Sequence, residues 1–446
     1  MIQTITALGG VGKTQIVLEY AYRYAAEYKY IWWIRTENEF TVLADYKDFA
    51  LKRKLLSPEE QDSKIIFETV LNWMDNNSDW LFIYDNAEDI DESTRWWPRN
   101  NRNHIMITTR NRQIHVGKIM DISLFSKDEA VDFLIKRTEI DDKPNAKLLS
   151  KRLGYFPLAL EQAAAYIKSN TISYAEYIDL LEEYKLELLD ETDDITHYDK
   201  SIRATLEISI NKIKSEASQQ LLNMCAYLAQ ENIYPEMFMS NPELLPSELK
   251  EHFSNKLKNK KIWKELMQYS LLKKQKSDEY SMHRLLQEVI RDRIKEDQSW
   301  AKYSLLILLD IYKFSYDDQD SFIRNSTHAE AFVEYTLSYL TDDESQEKMA
   351  FLCSEGGSGN RYLGNYPNAL EWYQTALDIY EKVLGKEHHS TAVTYNNLAK
   401  LYYSQGGYDV AIEYAQKAYD IHFLKLGAEH NNTKKAKKLL NLLKGK

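Results

Sequence analysis

The first twenty residues constrain the fold more than any other stretch of this chain. An apolar run, Ile2-Gln3-Thr4-Ile5-Thr6-Ala7-Leu8, leads into Gly9-Gly10-Val11-Gly12-Lys13-Thr14 and then into Gln15-Ile16-Val17-Leu18-Glu19-Tyr20. The pattern predicts a buried strand, a glycine-rich turn and the first turns of a helix. Such a layout aims backbone N–H groups and a helix N-terminus at one point, where a chain of phosphates can sit. Lys13 would reach the β- and γ-phosphates and the Thr14 hydroxyl would bind Mg2+, with Gly9, Gly10, Val11, Gly12 and Gln15 completing the cradle. The strict pattern has glycine at the position of Ala7.

Residues 1–121 continue in the same style. Tyr30-Ile31-Trp32-Trp33-Ile34, Trp80-Leu81-Phe82-Ile83-Tyr84 and His104-Ile105-Met106-Ile107-Thr108-Thr109 read as three more short buried strands, separated by helical stretches. This predicts an α/β domain with a parallel sheet and helices on both faces. Ligands in such sheets bind at the carboxyl ends of the strands, so Asp85 and Arg110 should lie with the glycine loop. A strand-ending Asp85 can hold Mg2+ directly or through water. Its neighbour Asn86 can orient a water but not take its proton, which predicts slow hydrolysis or none. Glu88 and Asp89 are candidates for the missing acid, and both read equally as solvated loop acids. Arg110 can contact a γ-phosphate, and Arg112 competes for that role.

At 446 residues the chain is too long for one core, and about three domains are expected. Composition is that of a globular protein, and 32 Tyr with only 8 Pro and 14 Gly favour a helix-rich architecture. The net charge of −11 argues against nonspecific nucleic-acid binding. Lys256-Leu257-Lys258-Asn259-Lys260-Lys261 reads as a solvated face. Cys225 and Cys353, far apart in apolar contexts, read as reduced core residues. No apolar run reaches membrane-spanning length and no signal peptide is visible, so a cytoplasmic location is expected.

Beyond 121 the strand signals stop. Ser126 with Glu129 forms a capping-box pattern that opens a helical domain over 122–190. Residues 190–199 are acidic and polar, a linker. Residues 200–298 read as helices around two short strands, Leu271-Leu272-Lys273-Lys274 and Tyr280-Ser281-Met282-His283, the pattern of a winged helix. A helical linking region spans 299–350. In 351–446, Tyr366, Ala369, Ala376, Leu384, Gly385 and His388 recur 42 residues later as Tyr408, Ala411, Ala418, Leu426, Gly427 and His430. Repetition at one spacing, with small Ala where helices approach, predicts a helical-hairpin solenoid. The paired His388 and His430 then belong to inter-repeat turns rather than to a metal site.

The chain resembles the NB-ARC class of STAND signalling ATPases with C-terminal tetratricopeptide repeats. The likeness rests on Gly9 to Gln15 with Glu19-Tyr20-Ala21, on Leu81 to Ala87, on Ile107-Thr108-Thr109-Arg110, on Gly154-Tyr155-Phe156-Pro157-Leu158-Ala159-Leu160 and on Met282-His283-Arg284-Leu285-Leu286-Gln287. Its repeats resemble the long, kinesin-light-chain-like variety. The resemblance implies that Pro157 lies against adenine and that His283 touches the β-phosphate of ADP, tying two domains together until ATP replaces it. It also implies an N-terminal effector and a fuller adenine pocket, which this chain is expected to lack, and an acid at the position of Arg284. The expected function is an ADP/ATP-dependent switch with Mg2+, at most a slow ATPase, whose repeats bind a protein partner and whose ATP form self-associates. The alternatives are a repeat scaffold with a degenerate nucleotide module, favoured by Asn86 and Ala7, and a DNA-binding regulator using the winged helix.

Overall fold

The computed structural model describes residues 2–7, 9–36, 39–57, 60, 62–87, 103–111, 116–187, 200–275, 278–315 and 318–445. Glu88, Asp89, Arg112 and the 190–199 linker lie outside the described residues. The chain forms two compact units, residues 1–55 with 67–300 and residues 56–66 with 301–446.

The first unit is built on a parallel sheet of order β2-β3-β4-β1-β5. Its strands are β1 (Ile2–Thr6), β2 (Tyr30–Arg35), β3 (Trp80–Asp85), β4 (His104–Thr109) and β5 (Lys118–Asp121). Alternation along the fully buried β3 explains both faces. Leu81 and Ile83 join Ile5, Met106, Val17 and Ala21 under α1 (Lys13–Arg23). Trp80 and Phe82 turn the other way, and Phe82 meets Phe49 of α2 (Glu39–Lys52) edge to face. Phe49 in turn meets Trp73 of α3 (Ser63–Asn76). Register is uniform: Thr6 pairs with Thr109 and Tyr84 with Ile107, so the strands end at one edge. The sequence reading missed β5. This edge strand is exposed along its whole length, and Lys-Ile-Met-Asp carries no apolar run to betray it.

A helical layer follows, comprising α4 (Lys127–Thr138), α5 (Lys143–Arg152), α6 (Pro157–Asn170) and α7 (Tyr174–Glu187). Ser126 and Glu129 close the expected capping box on α4. Ala163, Ala164 and Ala165 let neighbours approach α6 closely, and all three are buried. The rest of the unit runs through α8 (Lys200–Asn211), α9 (Glu216–Cys225), α10 (Glu236–Met239), α11 (Ser247–Phe253), α12 (Lys256–Gln268) and α13 (Arg284–Arg293). Between α12 and α13 stands the expected hairpin, β6 (Lys273–Lys274) antiparallel to β7 (Tyr280–Ser281). Trp263 stacks on Tyr280 with ring centres 4.2 Å apart, fixing the hairpin to α12.

The second unit is all-helical: α14 (Ser299–Ile311), α15 (Gln319–Thr336), α16 (Asp343–Tyr362), α17 (Tyr366–Val383), α18 (His389–Ser404), α19 (Tyr408–Leu426) and α20 (Asn431–Lys444). The helix that pairs with α17 therefore starts at Asp343, inside the stretch read as a linking region. Glu-Gly-Gly-Ser-Gly, a loop by composition, lies within α16 because bulky rings fill the space its side chains would need. A Cβ on Gly357 would meet the Tyr373 ring at 2.5 Å and one on Gly356 the Trp372 ring at 2.6 Å. Both cysteines are buried and unpaired. No described helix is long and apolar enough to cross a membrane.

Candidate nucleotide site

The loop after β1 takes its shape from two glycines. Gly10 and Gly12 have φ of +80° and +105°, a region that β-carbons disfavour. A Cβ on Gly10 would also lie 2.7 Å from the Phe156 ring. Ala7 has no positive φ; it extends β1, with its N–H donating to the Thr109 carbonyl and its own carbonyl accepting from Lys13 Nζ at 2.9 Å. The departure from glycine there is therefore without backbone strain. Gly9 and Gly10 form the turn, Val11 is buried and Gln15 is exposed on the first turn of α1.

At the end of β3, with β4 between it and β1, Asp85 is held from three sides. Thr14 Oγ1 donates to its carboxylate at 3.0 Å and Thr108 Oγ1 donates to the same oxygen. Its backbone carbonyl accepts from Thr36 Oγ1 at 2.5 Å. Burial pushes the Asp85 carboxyl up, against the pull of these hydrogen bonds and of the Lys13 charge. A buried carboxylate beside a hydroxyl suits a hard cation, so Thr14 and Asp85 fit a Mg2+ ion in donor chemistry. Asn86 has a left-handed φ of +63°, which Asn tolerates better than Glu does, and its N–H donates to Thr108 Oγ1 at 3.0 Å.

His283 is the N-cap of α13: its Nδ1 accepts from Leu285 N–H at 3.1 Å, which leaves Nε2 to carry the proton. Its pKa falls to about 4, first because it is buried and then because the charges of Lys13 and Arg110 bear on it. The structure therefore brings Lys13, Thr14, Asp85, Arg110 and His283 into one electrostatic neighbourhood, although His283 stands some 270 residues from the loop in sequence. Pro157 is the first residue of α6, directly after the Phe156 that packs on Gly10. Helix α6 is tied to the α12–β6 turn, Gln162 donating to the Ser270 carbonyl at 2.6 Å and Ser169 to that of Gln268 at 2.8 Å. Thr108 and Phe156 are the participants that the sequence reading did not single out. A polar residue buried in a strand and a ring inside the Gly-Tyr-Phe-Pro block were the available signals. Among the described residues no group of three His, Cys, Asp or Glu is arranged to hold a metal ion. In the basic stretch of α12, Lys258 pairs with Glu251, Asn259 is buried, and Lys260 and Lys261 are exposed.

A glycine loop at the carboxyl edge of a parallel β2-β3-β4-β1-β5 sheet defines a P-loop nucleotide-binding protein. Residues 357–422 match the tetratricopeptide repeat family, and residues 208–299 match a domain of unknown function, DUF7779. A nucleotide-binding leucine-rich repeat (NLR)-like protein of Hyaloscypha variabilis is 24% identical over 438 residues, covering 88% of this chain. The chain spans 42% of that relative's length. Among solved structures, a STAND protein with a tetratricopeptide repeat sensor from Pyrococcus horikoshii is 15% identical, with a TM-score of 0.45 over 100% of this chain and 75% of its own. A Walker-type ATPase of Pyrococcus abyssi is 10% identical, with a TM-score of 0.30 over 65% and 91%. Residues 357–422 are thus tetratricopeptide repeats, and over most of its length the chain is similar to an NLR-like protein.

Proposed function

We propose that the chain is a switch set by ADP or ATP with Mg2+, acting in the cytoplasm, with the repeats engaging a protein partner and the ATP form self-associating. The observation that carries this reading is the placement of His283 in the field of Lys13 and Arg110. An imidazole from the hairpin–helix junction then senses the same phosphates as the loop. In this reading Lys13 and the loop amides hold the phosphates, Thr14 and Asp85 hold Mg2+, and Pro157 lies against adenine. His283 donates Nε2–H to the β-phosphate of ADP, whereas Arg110 meets a γ-phosphate. Bound Mg2+ would neutralise phosphate charge. Because a ligand shifts an equilibrium only by its differential contacts, His283 against Arg110 is what would distinguish the two states. Asn86 can orient water but cannot accept its proton, so turnover is at most slow and the nucleotide marks a state.

Ala7 as an unstrained strand-end residue removes one argument for a decayed module and supports the switch over a bare repeat scaffold. The test is mass spectrometry of denatured protein for co-purified ADP, together with thermal melts in ADP and Mg2+. Wild-type chain should carry ADP and melt higher with it, and Lys13→Ala should do neither. Wild-type protein without ADP and without a nucleotide-dependent shift would overturn the switch.

A further inference from the structure

One joint of the second unit departs from the 42-residue repeat. His389, the first residue of α18, and His422, near the end of α19, lie with ring centres 5.1 Å apart and planes inclined by 51°. His422 is buried and His389 half-buried. One repeat earlier the same two positions hold Glu347 and Tyr380. Those two also meet, the carboxylate of Glu347 bearing on the buried phenol of Tyr380. Repeat packing therefore brings the positions together, and histidine at both belongs to this joint. His388 and His430 differ from this pair, because their Nδ1 atoms already accept backbone N–H groups as helix caps.

The fold leaves the pair unsatisfied. Nδ1 of His389 and Nδ1 of His422 are both buried without a hydrogen-bond partner among the described residues. An unmet buried nitrogen costs stability until something occupies its lone pair. Burial first, and then the neighbouring histidines, lower the pKa of both, that of His422 to about 4. Both rings are thus in the neutral form that a metal ion takes. The Asn432 amide, on the second residue of α20, meets His389 Nε2 at 3.4 Å. With its oxygen turned to the ring, the proton sits on Nε2 and the lone pair on Nδ1. Two imidazoles on one tetrahedral ion, with metal–nitrogen bonds of about 2.0–2.1 Å, bring their ring centres to about 5 Å. A cavity of about 460 Å3, lined by Gly385, Glu387, His388, His389 and Lys425, gives an ion a way in.

We propose that His389 and His422 bind a divalent transition-metal ion of the Zn2+ type through Nδ1, clamping the start of α18 to the end of α19. Imidazole nitrogen selects such an ion over Mg2+ and Ca2+, which take oxygen. Two protein ligands are fewer than those of a structural or catalytic zinc centre, so water completes the shell. The site is separate from the nucleotide loop and does not rest on the switch reading.

The test is isothermal titration of the full, chelator-treated chain with Zn2+ in excess Mg2+, so that oxygen donors such as Asp85 do not compete. Wild type should bind Zn2+ and melt higher with it. His389→Gln and His422→Gln should each bind at least about tenfold more weakly and lose the rise, and Asn432→Ala should weaken binding about tenfold. His388→Asn and His430→Asn, which keep a side chain able to cap, should bind as wild type does. Melts without Zn2+ establish that each variant is folded; if His422→Gln is not, His389→Gln carries the decision. No Zn2+ binding by wild type, unchanged affinity in the folded glutamine variants, or an equal loss in the two capping variants would overturn the proposal.

Discussion

At Asp85 and His283, burial acts on two titrating groups with opposite consequences for stability. Asp85 has its pKa raised by burial, so its contribution is greatest below its unfolded value of 3.8 and is lost as pH rises. Ionising this carboxyl is therefore a cost, which a bound Mg2+ would offset under the proposed function. Asp85→Asn should raise the melting temperature at pH 7.5 by about 2–4 °C while abolishing Mg2+-dependent nucleotide retention. A lower melting temperature would show that the Thr14 and Thr108 hydroxyls on the carboxylate outweigh its burial. His283 is shifted down, from 6.5 to about 4, so its contribution is present above 6.5 and lost as pH falls through 4. His283→Asn keeps a side chain able to cap α13 but removes the titration. Melts across pH 7.5 to 4 should show a shallower acid limb in that variant, and an unchanged limb would assign it to other groups. Thr108, by contrast, joins Asp85 to the Asn86 turn with a single hydroxyl.

Helix α16 shows how packing overrules propensity at the scale of one element. A Gly→Ala change inside an exposed helix stabilises by about 1 kcal/mol. At Gly357 the new methyl would meet the Tyr373 ring of α17, and at Gly359 the Phe322 ring of α15. Gly357→Ala should instead destabilise the repeat unit by about 1–3 kcal/mol, the usual cost of overpacking. Denaturant unfolding reads the sign directly; stabilisation would mean that α17 can yield. The repeat turns carry a second device of this kind. His388 and His430 cap α18 and α20, each accepting from the backbone N–H two residues on at 3.2 Å. That shared capping role gives a reason for a histidine at the same position of both repeats.

For the whole molecule, the switch reading demands that the two nucleotide states differ in energy. If His283 contacts ADP and Arg110 contacts ATP, His283→Ala should weaken ADP by about tenfold and ATP much less. Isothermal titration with each nucleotide measures the ratio. Equal losses would mean that His283 supports the site without distinguishing its states.

Much of this was legible along the chain. The glycine loop, three further strands, the capping box at Ser126, the hairpin before His283 and the 42-residue repeat are local or periodic, and each rests on backbone preferences that neighbouring residues express. What the sequence by itself determined is therefore the order and kind of elements. The tertiary structure alone decided the rest. Exposed β5 is a strand only because β1 offers it partners, and the glycines of α16 are helical only because aromatic rings press on them. Asn86 suits a left-handed turn, and Phe156 is fitted to Gly10. Likewise, Lys13, Arg110 and His283 share one electrostatic field through contacts made far apart in sequence, where no local preference speaks.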